Sequence, residues 1–153
     1  EGQWQNCLKH LDTALSIFRN QPEFNLLAGE CKMQMGLYKD AVQYFSTVVR
    51  VRPRNIGGWE ALIRCLVVAG FFEEALEQTE AAIQITNGKP LFIFYHAAVL
   101  FGMGKTKQAV LKLEDAMIKA PKLLKKFIAL NPSILQNHFV VDVLARFKRN
   151  RSM

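Results

Sequence analysis

Gly104-Lys105-Thr106 carries the chemistry that ends a phosphate-binding loop: a glycine for close backbone approach, a lysine for phosphate and a hydroxyl for a metal. Such a loop needs another glycine five places earlier, and Val99 stands there. It also follows a strand, whereas helical patterns flank these residues on both sides. His10, His96 and His138 are metal-ligand types, but they lie far apart and share no ligand spacing. His96 falls on an apolar stripe and reads as a packed, hydrogen-bonded core histidine. Glu73, Glu74, Glu77 and Glu80 offer carboxylates for acid–base work. The spacing of Glu73, Glu77 and Glu80 makes them one solvated helix stripe instead. Cys7, Cys31 and Cys65 are odd in number and lack metal-type spacing, which argues against a disulfide framework. Their apolar positions suit small core residues in a reducing compartment. No nucleophile–base constellation assembles from these residues. The expectation is therefore no enzyme, no cofactor and no metal centre.

What organises the chain is a period. Gly2, Gly36, Gly70 and Gly104 recur every 34 residues. Cys7, Ala41, Ala75 and Ala109 follow at five places, and Ala14, Val48, Ala82 and Ala116 at twelve. A fixed step of this length marks a stacked helical repeat. In the window 22–55, Pro22 suits a first helical turn. Phe24, Leu27, Ala28, Cys31 and Met35 then form one apolar stripe, and Gly36 supplies the left-handed turn. Tyr38, Ala41, Val42, Phe45, Val48 and Val49 form a second stripe, which Pro53 stops. The windows 56–89 and 90–123 repeat the design, and residues 1–21 match only the second half of a window. Ala41, Ala75 and Ala109 are expected at helix crossings, where two helices approach to about 8–10 Å.

Gly29, Gly36, Tyr38, Ala41, Phe45 and Pro53 resemble the tetratricopeptide repeat, as do Trp59, Leu62, Gly70, Phe72, Ala75 and Ala82. Ala97, Gly104, Ala109, Ala116 and Pro121 continue the match in the third window. The resemblance covers about residues 1–123. Ile63, His96 and Asn87 depart from it, standing where the family prefers a small residue, a leucine and a proline. The implied fold is all-α, a right-handed solenoid of helical hairpins (a TPR-like α-α superhelix) with C-terminal capping helices.

The C-terminal segment differs in composition. Residues 122–153 hold seven basic side chains against Asp142 alone, so they carry six of the chain's seven net positive charges. Asn131-Pro132 reads as a helix cap followed by a first turn. A last amphipathic helix is expected over 137–148, within capping helices spanning 124–148, followed by a basic tail, 149–153. A short basic tip is expected to be solvated and not to contact nucleic acid. No apolar run is long enough to span a bilayer. The chain begins with Glu1, midway through a repeat, so it is expected to be part of a longer, cytoplasmic protein. A targeting segment upstream would change that location.

The resemblance implies a non-catalytic interaction module, a scaffold or adaptor that takes a protein partner, a peptide or helix, in a groove lined by first helices. The groove residues it implies are Leu26, Glu30 and Met33, then Glu60 and Arg64, then Leu91, Phe94, Tyr95, Ala98 and Phe101. The last five make their helix apolar nearly all round, and such a helix is buried on more than one side. Candidate covers are the chain's own C-terminal segment, a partner peptide or a second copy in a homodimer. Relatives that clamp the C-terminal carboxylate of heat-shock chaperones use lysine, asparagine and arginine. Leu26, Glu30, Ala61, Leu91 and Tyr95 stand in those places, so no chaperone-tail clamp is expected. Two alternatives remain: a self-association domain whose groove is closed by its own cap, and an accessory domain of an enzyme with its catalytic part upstream.

Overall fold

A computed structural model describes residues 2–152, without the side chain of Ser152. Glu1 and Met153, at the outer ends of the first and last expected segments, lie outside the described residues. The fold is all-α. The chain divides into two compact units, Glu1–Ala69 and Gly70–Met153.

The first unit contains α1 (Gly2–Ile17), α2 (Pro22–Gln34), α3 (Tyr38–Val51) and α4 (Ile56–Ala69). Each packs on the next, and α2 also touches α4. Pro22 opens α2, and Gly36 ends it at φ +76°. That left-handed residue lets the Leu37 N–H reach back to the Lys32 carbonyl at 2.9 Å. The turn before α2 is tied by a buried side chain: Asn25 Nδ2 donates to the carbonyls of Arg19 and Gln21 at 3.0 and 2.9 Å. Two bonds fix the entry to α4. Asn55 Oδ1 accepts from the Gly58 N–H at 2.9 Å, and Trp59 Nε1 donates to the Pro53 carbonyl at 2.6 Å. The core joins Ala28, Cys31, Ala41, Phe45 and Val48. Phe45 lies directly over Gly29, with its Cζ 2.7 Å from where a β-carbon would stand.

The second unit contains α5 (Phe72–Ile85), α6 (Pro90–Gly102), α7 (Thr106–Lys119), α8 (Leu124–Leu130) and α9 (His138–Ser152). Single 3-10 turns, Pro121–Leu123 and Pro132–Gln136, flank α8. α6 is the central helix, covered by α5, α7 and α8, while α9 packs on α7. At the end of α5 no proline is needed. Asn87 and Gly88 both take positive φ, and the Gly88 N–H bonds the Ile83 carbonyl at 2.8 Å, closing the helix by a left-handed cap.

The C-terminal segment differs from expectation in two ways. Asn131 does not cap a helix: its Oδ1 accepts from Ser133 Oγ at 2.7 Å, and Pro132 opens a 3-10 turn. The cap of α9 is Asn137, whose Oδ1 accepts from the Phe139 N–H at 2.9 Å. The basic residues after 148 are not a separate tail, because α9 continues to Ser152. Arg149 and Arg151 occupy its last turn, where cations complement the helix dipole, and Arg151 lies 6.0 Å from the centre of the Phe147 ring.

Gly29→Ala tests the close approach of α2 and α3. On an open helix face this change stabilises by about 1 kcal/mol through helix propensity. Here Phe45 is fully enclosed and cannot swing away. Overpacking should instead destabilise the chain by about 1–3 kcal/mol in urea unfolding.

Candidate functional site

In the first unit the candidate residues come from α2 and α4, the first helices of successive windows. Leu26, Glu30 and Met33 recur at three and four residues on α2, and Glu60 and Arg64 at four on α4, so each set shares a face. All five side chains are half-buried. Arg64 Nη2 donates to Glu30 Oε1 at 2.7 Å, joining equivalent helices across a 34-residue step. The two side chains remain 40% and 39% exposed. A pair so open to water stabilises by at most about 1 kcal/mol. Its larger effect is to fix the two charges in place between Leu26 and Met33.

The five candidates on α6 behave differently. Leu91, Phe94, Tyr95 and Ala98 are buried, and Phe101 is half-buried. The Phe94 ring packs against Phe127 of α8, with centres 5.9 Å apart, and Phe92 meets Tyr95 edge-on at 6.1 Å. Leu91, Phe94, Tyr95 and Ala98 are therefore core of the second unit and not an open groove wall. The physical reason is composition: a helix this apolar on all faces is driven to bury each of them.

The residues singled out for chemistry stay apart. Gly104, at φ +75°, turns the chain between α6 and α7, and the Lys105 N–H bonds the Leu100 carbonyl at 2.9 Å. Both neighbours of this turn are helices, so no strand-to-helix phosphate cradle forms. Glu73, Glu74, Glu77 and Glu80 are all exposed. Among the described residues no three His, Cys, Asp or Glu side chains gather as a metal site. Burial raises the Cys65 thiol to about 11, and its Sγ donates to the Tyr38 carbonyl at 3.7 Å. Burial, then a hydrogen bond with Cys7, raises Cys31 to about 11 as well. Both are protonated at neutral pH and poor nucleophiles. His10 and His138 are exposed, His138 stacking on Phe139 with centres 4.1 Å apart.

His96 corrects the expectation of a hydrogen-bonded core residue. Its Nδ1 is buried without a hydrogen-bond partner among the described residues. Burial first, and the Lys112 ammonium second, push its pKa below the ordinary 6.5, while Glu80 pulls weakly the other way.

The comparisons agree with the helical architecture. No family model matches the chain. A crystal structure of MamA superposes with a TM-score of 0.72 at 16% identity, covering 96% of this chain and 86% of that one. TTC0263, described as a thermophilic TPR protein in Thermus thermophilus, superposes with a TM-score of 0.59 at 18% identity, over 99% of this chain and 92% of that one. The fold is that of the tetratricopeptide repeat. A sequence relative is Tetratricopeptide repeat protein 21B of Mus musculus, 26% identical over 142 residues. The match covers 86% of this chain but only 11% of that protein, so the chain spans a small part of its relative's length. Domains of the tetratricopeptide fold generally act through protein–protein contacts. No helix among the described residues is long and apolar enough to cross a membrane.

Sequence reasoning missed the surface of α7 and α9. Leu111 and Ile118 are both exposed there, and their seven-residue spacing, two helical turns, was the available signal.

Two measurements check these assignments. Phe94→Ala should cost about 3–5 kcal/mol in denaturant unfolding, as for a large aromatic removed from a packed core. A change under about 1 kcal/mol would mean an open surface position instead. For His96, the folded chain holds fewer protons than the unfolded one once pH drops below 6.5. Stability present above that pH is therefore lost as pH falls. The melting temperature should decline between about pH 7.5 and pH 5.5. His96→Leu should remove that slope and, by relieving the unpaired Nδ1, stabilise the fold by roughly 1 kcal/mol.

Proposed function

We propose that this chain is a non-catalytic protein-interaction module that takes a peptide or helix of a partner on the face built by α2 and α4. The observation that carries the reading is a difference in closure. Leu26, Glu30, Met33, Glu60 and Arg64 stay half-open, while four of their five counterparts on α6 are sealed. A half-open face with apolar residues around a fixed charge pair suits recognition, because little rearrangement precedes contact. Leu26 and Met33 provide adaptable apolar contact, and Arg64 and Glu30 set the polarity of what lies between them.

Peptides selected from a random display library on the whole chain test the reading. Arg64→Glu and Glu30→Lys should each weaken the selected peptides about tenfold or more, equivalent to about 1.4 kcal/mol. Folding should be unaffected, given how exposed the pair is. If every selected peptide binds both variants as tightly as the parent chain, the α2–α4 face is not the site.

A second reading is self-association with the α6 face closed by the chain's own cap, and the Phe94–Phe127 contact supports only the closure. Sedimentation separates the two. A concentration-independent dimer supports self-association, and a monomer at every concentration removes it.

A further inference from the structure

We infer that the channel between α7 and α9 is a docking site for an acidic amphipathic helix of a partner protein. The two helices run side by side in the same direction. Val110 lies beside Phe139 and Asp142, Glu114 meets Arg146 at 3.5 Å, and Ile118 lies beside Asn150. Two adjoining hollows of about 600 and 380 Å³ lie between them, with Arg146 and Arg149 lining both. The channel is thus long and shallow, not a pocket for a small molecule.

Its apolar contacts have helical spacing. On α7, Ile118 lines the first hollow and is 75% exposed, and the half-buried Val110, eight residues earlier, lines the second. On α9 the half-buried Phe147 lines the first hollow, and Phe139, 43% exposed, lines the second. Eight residues along a helix are roughly 12 Å. A partner helix with apolar residues at i, i+4 and i+7 repeats that distance along its own surface.

The charge decides the sign of the partner. Asp142 is the single acidic residue of α9 and sits towards its start; Arg146, Lys148, Arg149 and Arg151 follow it. Arg146 is matched by Glu114. Arg149 lines both hollows and forms no ion pair among the described residues. The helix dipole explains why basic residues end α9, but it does not explain Ile118 standing in water at the hollow's edge. An acidic flank opposite Arg149, with apolar side chains over Ile118 and Phe147, satisfies both features. None of the α2–α4 residues is used, so this site stands whether or not that face binds anything.

The test titrates the whole 153-residue chain onto an array of acidic amphipathic helical peptides and composition-matched scrambles. Patterned peptides should bind about tenfold or more tightly than their scrambles, and binding should weaken as salt rises. Ile118→Asp and Arg149→Glu should each reduce that binding about tenfold, with the circular dichroism spectrum unchanged because both side chains are exposed, and with the melting temperature lowered by at most a few degrees by an anion in a last helical turn. Lys39→Glu, an exposed charge reversal on α3 outside both faces, should leave it intact. The inference is overturned if no patterned peptide binds, if patterned and scrambled peptides bind alike, or if either Ile118→Asp or Arg149→Glu has no effect. Duplex DNA or phosphatidylserine vesicles serve as a further arm. If they compete and depend on Arg149 but not on Ile118, the channel is only a basic surface and the inference falls.

Discussion

Helices in these hairpins come closer than ordinary side chains allow, and most of the structure follows from that approach. Gly29 faces the ring of Phe45, and a single methyl group there would overlap it. Ala41 and Ala109 are fully enclosed on α3 and α7, as Ala75 is on α5. Where the backbones are this close, a large ring fills the space at the crossing: Phe45 over Gly29, and Phe72 over Gly102. Packing at that density makes register a sharp requirement. A shift of one residue would bring a large side chain to the crossing, so the 34-residue step tolerates no insertion within a window.

The same packing explains why α6 behaves unlike α2 and α4. A helix in a stacked hairpin normally keeps one polar side for solvent. α6 has almost none: only His96, Phe101 and a few terminal positions fall short of full burial. Its fourth side cannot be left to water, and α8 supplies the cover through Phe127. α8 spans two turns and is bounded by prolines, Pro121 before it and Pro132 after it. A segment that short gains little from its own hydrogen bonds, so its position rests on burying Phe127 and Leu130. The cap and the helix beneath it therefore depend on each other. His96 marks the limit of this arrangement: it occupies an apolar site with one ring nitrogen unpaired among the described residues, which lowers the second unit's own stability.

How legible this was depended on how local the cause is. Glycine turns are local. Gly36, Gly70 and Gly104 can be placed from spacing alone, because positive φ needs glycine and little else, and all three adopt it. The proline-led starts of α2 and α6 are local in the same sense. Asn131 and Asn137 are not separable in sequence, because each precedes a helical turn and either can cap. Asn137 takes the role because Ser133 engages the Asn131 side chain. The expected end of α9 falls too early because a run of basic residues resembles a solvated tip. The helix dipole and the Phe147 ring hold it helical to Ser152. In the candidate site, the faces of α2 and α4 follow from periodicity, but the 2.7 Å bond from Arg64 to Glu30 does not. Pairing across 34 residues is tertiary. Phe94 is legible as apolar, but the sequence contains several segments able to cover it, and only the fold selects Phe127.

The two exposed surfaces differ in what their charges have left to give. On the α2–α4 face the Arg64 guanidinium already donates to the Glu30 carboxylate, so a partner meets a balanced pair. To bind either charge, it must share or displace the other, and the gain is the difference between two similar bonds. Discrimination there comes from shape and from the direction of the pair, with little long-range attraction. On α9 the positive charge is in excess, and Arg149 has no ion-pair partner to displace among the described residues. Its field extends about a Debye length into solvent, roughly 8 Å at physiological salt, and selects by sign before contact is made. Exposed Ile118 adds a short-range requirement that charge alone does not impose. A balanced pair reads shape at contact, whereas an unbalanced channel gathers its partner first and reads shape afterwards.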